Sequence, residues 1–122
     1  MIKVLIADDN LLLRESAKLM LSETEDIRVV EEASDGEEVL DKLNANHFDV
    51  LVLDINMPKK TGFEVLTTLK ARGNKIPILM LSTHSGEDYK NHAIKEGAAD
   101  YLTKEQDPTE LIDAIRKVFR DK

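Results

Sequence analysis

The sequence predicts an α/β domain, a doubly wound (βα)5 sandwich with five parallel strands in the order 2-1-3-4-5. Three observations carry this. Short apolar runs alternate with longer helical patterns five times along the chain. The first, third and fourth runs are nearly continuous, as in Val50-Leu51-Val52-Leu53 and Ile78-Leu79-Met80-Leu81, which suits parallel strands covered by helices on both faces. The second run, Arg28-Val29-Val30-Glu31-Glu32, is more polar and belongs at an edge. Right-handed crossovers and that edge strand together favour the order given.

Strands are expected at residues 2–7, 28–33, 49–53, 76–81 and 100–102, each followed by a helix. In the first helix Leu13, Ala17, Met20 and Leu21 repeat at the spacing of one face. Val39, Leu40 and Leu43 do so in the second, and Phe63, Leu66 and Leu69 in the third. Tyr89, Ala93 and Ile94 mark the core face of the fourth, and Leu111, Ile115, Val118 and Phe119 that of the fifth. Helix starts are signalled by capping-box spacings, Ser34 with Glu37 and Thr61 with Glu64, and by Asp107-Pro108-Thr109-Glu110. Gly73 and Gly97 sit where helix ends call for a left-handed residue.

Composition narrows the function. The 122 residues fit one domain, expected to span residues 1–122, with a real core. There are no cysteines, which excludes disulfides, thiol nucleophiles and Cys-ligated metals. No apolar run is long enough to span a membrane and the N-terminus does not open a signal peptide, so a soluble cytoplasmic domain with no membrane partner is expected. The net charge of −7 argues against direct nucleic-acid binding by this domain. Arg116, Lys117, Arg120 and Lys122 in the last helix are accounted for by the macrodipole. Three scattered histidines make a His-metal site unpromising, and His47 and His92 read as surface residues.

In open parallel sheets, sites form at the carboxyl ends of the strands. The first strand ends in Asp8-Asp9-Asn10, the third in Asp54, the fourth in Ser82, and the fifth runs into Thr103-Lys104. Each has an ordinary reading: a helix cap, a turn, a polar strand end, a solvated lysine. Together they place three acids, a hydroxyl and a lysine on one edge of the sheet. Three ionised carboxylates repel, so either a pKa rises or a cation fills the gap. Oxygen ligands alone favour Mg²⁺, or Mn²⁺, over zinc. Such an ion beside a lysine and a hydroxyl suits phosphoryl chemistry with an Asp as nucleophile.

Four stretches resemble the receiver domain of bacterial two-component response regulators, which has the flavodoxin-like fold. They are Val4-Leu5-Ile6-Ala7-Asp8-Asp9, Asp54-Ile55-Asn56-Met57-Pro58 with Gly62, Leu81-Ser82-Thr83, and Gly97-Ala98-Ala99-Asp100-Tyr101-Leu102-Thr103-Lys104. Each is weak alone; four in this order and spacing are specific. The phrasing is most similar to NarL/LuxR-type receivers, which usually precede a helix-turn-helix DNA-binding domain.

The resemblance implies roles. Asp54 would accept a phosphoryl group from a histidine kinase or phosphotransfer protein. Asp8 and Asp9 would hold Mg²⁺ with Asp54 and the backbone carbonyl of Asn56. Lys104 would pair with the phosphoryl group, with Ser82 as the switch hydroxyl and Tyr101 as the aromatic that turns inward. Asn56, Thr83 and His84 would tune the phosphoryl lifetime; the small Thr83 leaves room for small donors, and His84 reads more simply as a residue facing solvent. The chain would thus catalyse only its own phosphorylation and dephosphorylation. Its output would pass to a downstream protein partner, a homodimer formed on phosphorylation, or a fused output domain absent from these residues. One departure stands out: Glu105 follows Lys104 where much of the family has a cis proline. A cis bond before a non-proline costs about 2.5–4 kcal/mol, so a trans bond is expected.

Two other readings compete: a free-standing Mg²⁺-dependent phosphatase or phosphotransferase, and a receiver-like interaction module that is never phosphorylated. Phosphatases of the haloacid-dehalogenase type, which also attack through a strand-end Asp, use a second Asp two residues on as acid–base, where this chain has Asn56. The intact acidic set argues against the silent module. A nucleotide or flavin site is weaker still, since no glycine-rich turn follows the first strand.

Overall fold

A computed structural model describes residues 1–84, 86–104 and 108–121. Five strands alternate with five helices: β1 (Ile2–Ala7), α1 (Leu11–Ser22), β2 (Ile27–Ala33), α2 (Gly36–Ala45), β3 (Val50–Asp54), α3 (Gly62–Ala71), β4 (Ile78–Ser82), α4 (Glu87–Lys95), β5 (Asp100–Thr103) and α5 (Pro108–Arg120). The strands form one parallel sheet in the order β2-β1-β3-β4-β5, as the sequence predicts. The polar β2 is an edge, paired only with β1, and its register slips at Val4/Leu5 so that Val30 bulges out.

Alternation along each strand divides the core into two layers. Leu5, Ala7, Leu51, Leu53, Ile78 and Met80 face a cluster built with Val39, Leu40, Val65, Leu66 and Leu69 from α2 and α3. Ile2, Val4, Ile6, Val50, Val52, Leu79 and Leu81 face Ala17 and Leu21 of α1 and Leu111, Ala114, Ile115 and Val118 of α5. Strands buried on both faces are why the apolar runs are continuous.

The Thr61–Glu64 capping box forms, with both reciprocal hydrogen bonds. The cap of α2 falls one residue later than expected: Asp35, not Ser34, is the N-cap, and its carboxylate accepts from the Glu38 N–H at 2.8 Å. Glu38 accepts from the Ser34 N–H, one residue before the cap, so the reciprocal box expected of Ser34 and Glu37 does not form. Gly73 and Gly97 adopt positive φ, as expected. Lys59 also has a φ of 68°, in the loop before α3.

Two expectations are corrected. Tyr89 and Ile94 lie 39% and 44% exposed, and only Ala93 of the fourth helix is buried. Arg116 does not simply face the helix end: it pairs bidentately with Asp26 at 2.9 and 2.8 Å and ties α5 to the turn before β2. That pair lowers the Asp26 carboxyl and raises the Arg116 guanidinium from their ordinary values. The Lys104–Glu105 bond, the Asp107 cap and Lys122 lie outside the described residues. No helix among the described residues is long and apolar enough to cross a membrane.

Candidate functional site

The carboxyl ends of β1, β3, β4 and β5 are neighbours in the sheet, so the turn residues after each strand meet there. Asp54 closes β3 and is 3% exposed; Asp8 directly follows β1 and is 1% exposed. Ser82 closes β4 and is fully buried. Lys104 follows β5, and its backbone N–H donates to the Ser82 carbonyl at 2.7 Å. Its ammonium lies 2.8 Å from Asp8 Oδ2 and 3.1 Å from Asp54 Oδ1. Asp9 is exposed, yet one oxygen from each of Asp8, Asp9 and Asp54 lies within 4.8 Å of the others.

The capping reading of Asp8-Asp9-Asn10 applies to Asn10 alone. Its side chain caps α1 by accepting from the Leu12 and Leu13 N–H groups. Asp8 Oδ1 accepts from the Asn10 N–H at 2.9 Å, which fixes that carboxylate toward the sheet edge. The second oxygen, Oδ2, is buried and is met at 2.8 Å by the Lys104 ammonium. One ammonium shared by two buried carboxylates leaves this edge with excess negative charge, which a further positive group would offset. Three hard oxygen donors, with no histidine or cysteine among them, fit a divalent cation of the Mg²⁺ kind.

The charges respond to this crowding. Burial pushes the Asp54 carboxyl up from 3.8 to about 6, the Asp8 carboxylate adds to the rise, and Lys104 and the Asn56 N–H oppose it. Burial works against the Lys104 charge, but its contacts with Asp8 and Asp54 outweigh that and hold it above its ordinary value. The site therefore sets a destabilised carboxylate beside a firmly charged lysine.

Glycines pack the loop that follows Asp54. A Cβ on Gly62 would lie 2.3 Å from the Asp54 carbonyl oxygen and 2.8 Å from Ile55 Cα, while the Gly62 N–H donates to the Ile55 carbonyl. One on Gly36 would lie 2.3 Å from the Lys60 carbonyl oxygen. Helix propensity alone favours alanine over glycine by roughly 1 kcal/mol. Gly62→Ala is nonetheless expected to destabilise by about 1–3 kcal/mol, because the methyl meets backbone that cannot yield cheaply. Denaturant midpoints measure this, and a variant as stable as the parent would show that the loop gives way.

His84 is drawn into the site more fully than its sequence position suggested. Its N–H donates to Ser82 Oγ at 3.0 Å, its carbonyl accepts from the Tyr101 hydroxyl, and its Nε2 lies 3.3 Å from Asn56 Nδ2. Tyr101 is already inside, 6% exposed. Thr83 is exposed beside the site, consistent with open access. His47 is exposed and 3.6 Å from Asp49, and His92, also exposed, rests edge-on against Phe63. Two contributors escaped the sequence reading. Arg14 donates to the Asp8 carbonyl and to Glu32, clamping the acidic turn to the edge strand. Tyr89 stacks on His84 with centroids 4.2 Å apart and planes 3° apart. No periodicity marks Arg14, and the helical spacing of Tyr89 pointed to the core instead.

Comparison with known proteins agrees with this geometry. A family profile described as the response regulator receiver domain matches residues 4–116. The transcriptional regulatory protein DegU of Brevibacillus brevis is 38% identical over 117 residues, covering 96% of this chain and 50% of DegU. The response regulator UvrY of Escherichia coli O6:H1 is 35% identical over 119 residues, covering 98% of this chain and 55% of UvrY. The chain thus spans about half the length of these curated relatives. Among solved structures, the receiver domain of the Francisella response regulator 1452 superposes with a TM-score of 0.93 at 32% identity, covering 99% of this chain and 98% of that one. The signal receiver domain of NarL from Mycobacterium tuberculosis superposes with a TM-score of 0.92 at 30% identity, covering 99% and 98%.

Proposed function

The chain belongs to the response regulator receiver domain family, and on that premise we propose that it is a phosphorylation-gated signalling domain whose acceptor is Asp54. The observation that carries this reading is the convergence of Asp8, Asp9, Asp54 and Lys104 at one sheet edge, where burial and the Asp8 carboxylate raise the Asp54 carboxyl above its ordinary value. In the reaction an Asp54 carboxylate oxygen attacks the phosphorus of a phosphohistidine on a histidine kinase or phosphotransfer protein. The phosphorus–nitrogen bond breaks and its electron pair returns to the imidazole of the donor. Asp8, Asp9, Asp54 and the Asn56 carbonyl would hold Mg²⁺, which supplies charge neutralisation for the phosphoryl oxygens when bound.

The chain's own groups do the rest. Lys104, 3.1 Å from Asp54, is placed to follow the charge from the carboxylate onto the phosphoryl oxygens. Ser82 uses its oxygen to accept from His84, which leaves its proton free to donate to a phosphoryl oxygen. Phosphorylation adds about −1.5 to −2 charge next to these groups. Their rearrangement would bias the β4–α4 loop and Tyr101, and through them the surface of α4, β5 and α5. The output is a protein contact, to a partner, a second copy or a fused domain; transcriptional control is suggested by the names of the relatives. The phosphatase reading is not favoured, since Asn56 offers no acid–base carboxyl.

Incubating the chain with Mg²⁺ and acetyl phosphate should add one labile phosphoryl group by intact mass. A chain that remains unmodified, although folded and saturated with Mg²⁺, would reject the proposal.

A further inference from the structure

We propose that Tyr89 is a positioning residue: it holds the His84 imidazole across the mouth of the site and thereby sets how long a phosphoryl group survives on Asp54. The inference rests on the reading of Asp54 as acceptor. Tyr89 lies in the first turn of α4, 39% exposed, where a large aromatic gains little from burial. Its ring is instead committed to a face-to-face stack on His84, 4.2 Å away and within 3° of parallel. On its other side His84 meets the Asn56 amide, at 3.3 Å.

Asn56 stands two residues past the end of β3 and His84 two past the end of β4, and those strands lie side by side. The amide–imidazole contact therefore bridges the two loops that flank the acceptor. The backbone of His84 is pinned independently, by Ser82 Oγ at its N–H and the Tyr101 hydroxyl at its carbonyl. With the backbone held, only the side-chain torsions decide where the ring points, and the stack on Tyr89 selects among them. The connection runs from α4 through Tyr89 and His84 to Asn56.

The step controlled is hydrolysis of the aspartyl phosphate. A water oxygen attacks phosphorus from the side opposite Asp54, and the bond from phosphorus to the Asp54 oxygen breaks. Its electron pair returns to the carboxylate, the water proton goes to solvent, and inorganic phosphate leaves. A bridged mouth narrows the approach of that water. Because Tyr89 belongs to α4, any contact that moves α4 would also change the lifetime of the signal.

The test labels the chain with Mg²⁺ and acetyl phosphate, removes the donor and follows loss of the phosphoryl group by intact mass. Tyr89→Ala should shorten the lifetime by roughly three- to tenfold, the scale of one lost stacking contact. Tyr89→Phe keeps the ring and should restore it. In a His84→Ala background, Tyr89→Ala should add almost nothing, since the tyrosine acts through that imidazole. Should Tyr89→Ala fail to fold, Tyr89→Leu supplies apolar bulk without a flat ring and must still shorten the lifetime. A lifetime that is unchanged or longer without the ring, or a Phe variant as short-lived as Ala, overturns the proposal alone. A wild-type chain that takes no label overturns the acceptor reading, and this one with it.

Discussion

Asp54→Asn is expected to abolish phosphoryl labelling and, in the absence of divalent cations at pH 7, to raise the melting temperature. The first effect follows because an amide oxygen cannot replace the carboxylate as nucleophile. The second follows from the strain stored in the site. Folding lifts the Asp54 carboxyl from 3.8 to about 6, so the folded chain binds that proton more tightly than the unfolded chain does. The carboxyl is then without penalty below about pH 3.8, and the penalty grows as pH rises through about 6. At pH 7 it amounts to about 3 kcal/mol, which the neutral amide avoids. The gain in melting temperature should approach roughly 10 °C and shrink as pH falls toward 4. Saturating Mg²⁺ should stabilise the wild type more than the variant and narrow the gap. Thermal melts across pH, with and without Mg²⁺, measure all three trends. An Asn variant no more stable than the wild type at pH 7 without metal would show that the acidic cluster is not strained.

Lys104→Ala is expected to act in the opposite direction. The lysine is the positive partner of two nearly inaccessible carboxylates, at 2.8 and 3.1 Å. Removing one partner from a buried ionic group typically costs about 3–5 kcal/mol, because the charges left behind are neither solvated nor paired. Here the remaining charges also repel each other. The loss should be greatest at neutral pH without metal, smaller as pH falls and Asp54 takes up its proton, and smaller again when Mg²⁺ replaces the missing charge. Denaturant unfolding under these three conditions tests the argument. A uniform loss across them would assign the lysine a packing role through its methylene stem instead.

Much of this acidic edge is legible in the sequence. Asp8, Asp9, Asp54, Ser82 and Lys104 announce themselves because each follows an apolar run, and a doubly wound sheet brings such positions to one edge. Polar residues closing buried strands stand out against their neighbours. His84, Tyr89 and Arg14 do not stand out. His84 and Tyr89 sit around the start of α4, where Tyr89 has the spacing of a core residue but α4 buries only Ala93 among its described positions. Arg14 has the spacing of an ordinary helix residue, and its value comes from reaching the Asp8 carbonyl and Glu32 on another strand. The one-residue shift of the α2 cap to Asp35 has the same origin. Ser34 and Asp35 are both competent caps, and local pattern does not choose between them; in the fold Asp35 takes the position and Gly36 opens the helix close against the Lys60 backbone.

By itself, then, the sequence determined the strand order and the identity of the acidic edge, since both are written in local pattern: apolar continuity, one polar strand, and carboxylates at strand ends. Only the tertiary structure decided the charge state of that edge and its connection to the rest of the molecule. The rise of Asp54 to about 6 depends on burial and on the Asp8 carboxylate from the turn after β1. The His84 junction depends on contacts from β4, β5, α4 and the loop after β3. Such interactions fall off within a few ångströms, and sequence separation carries no record of them. The net charge of −7 is legible from the chain; where three of those charges meet, and what it costs to hold them there, is a property of the fold.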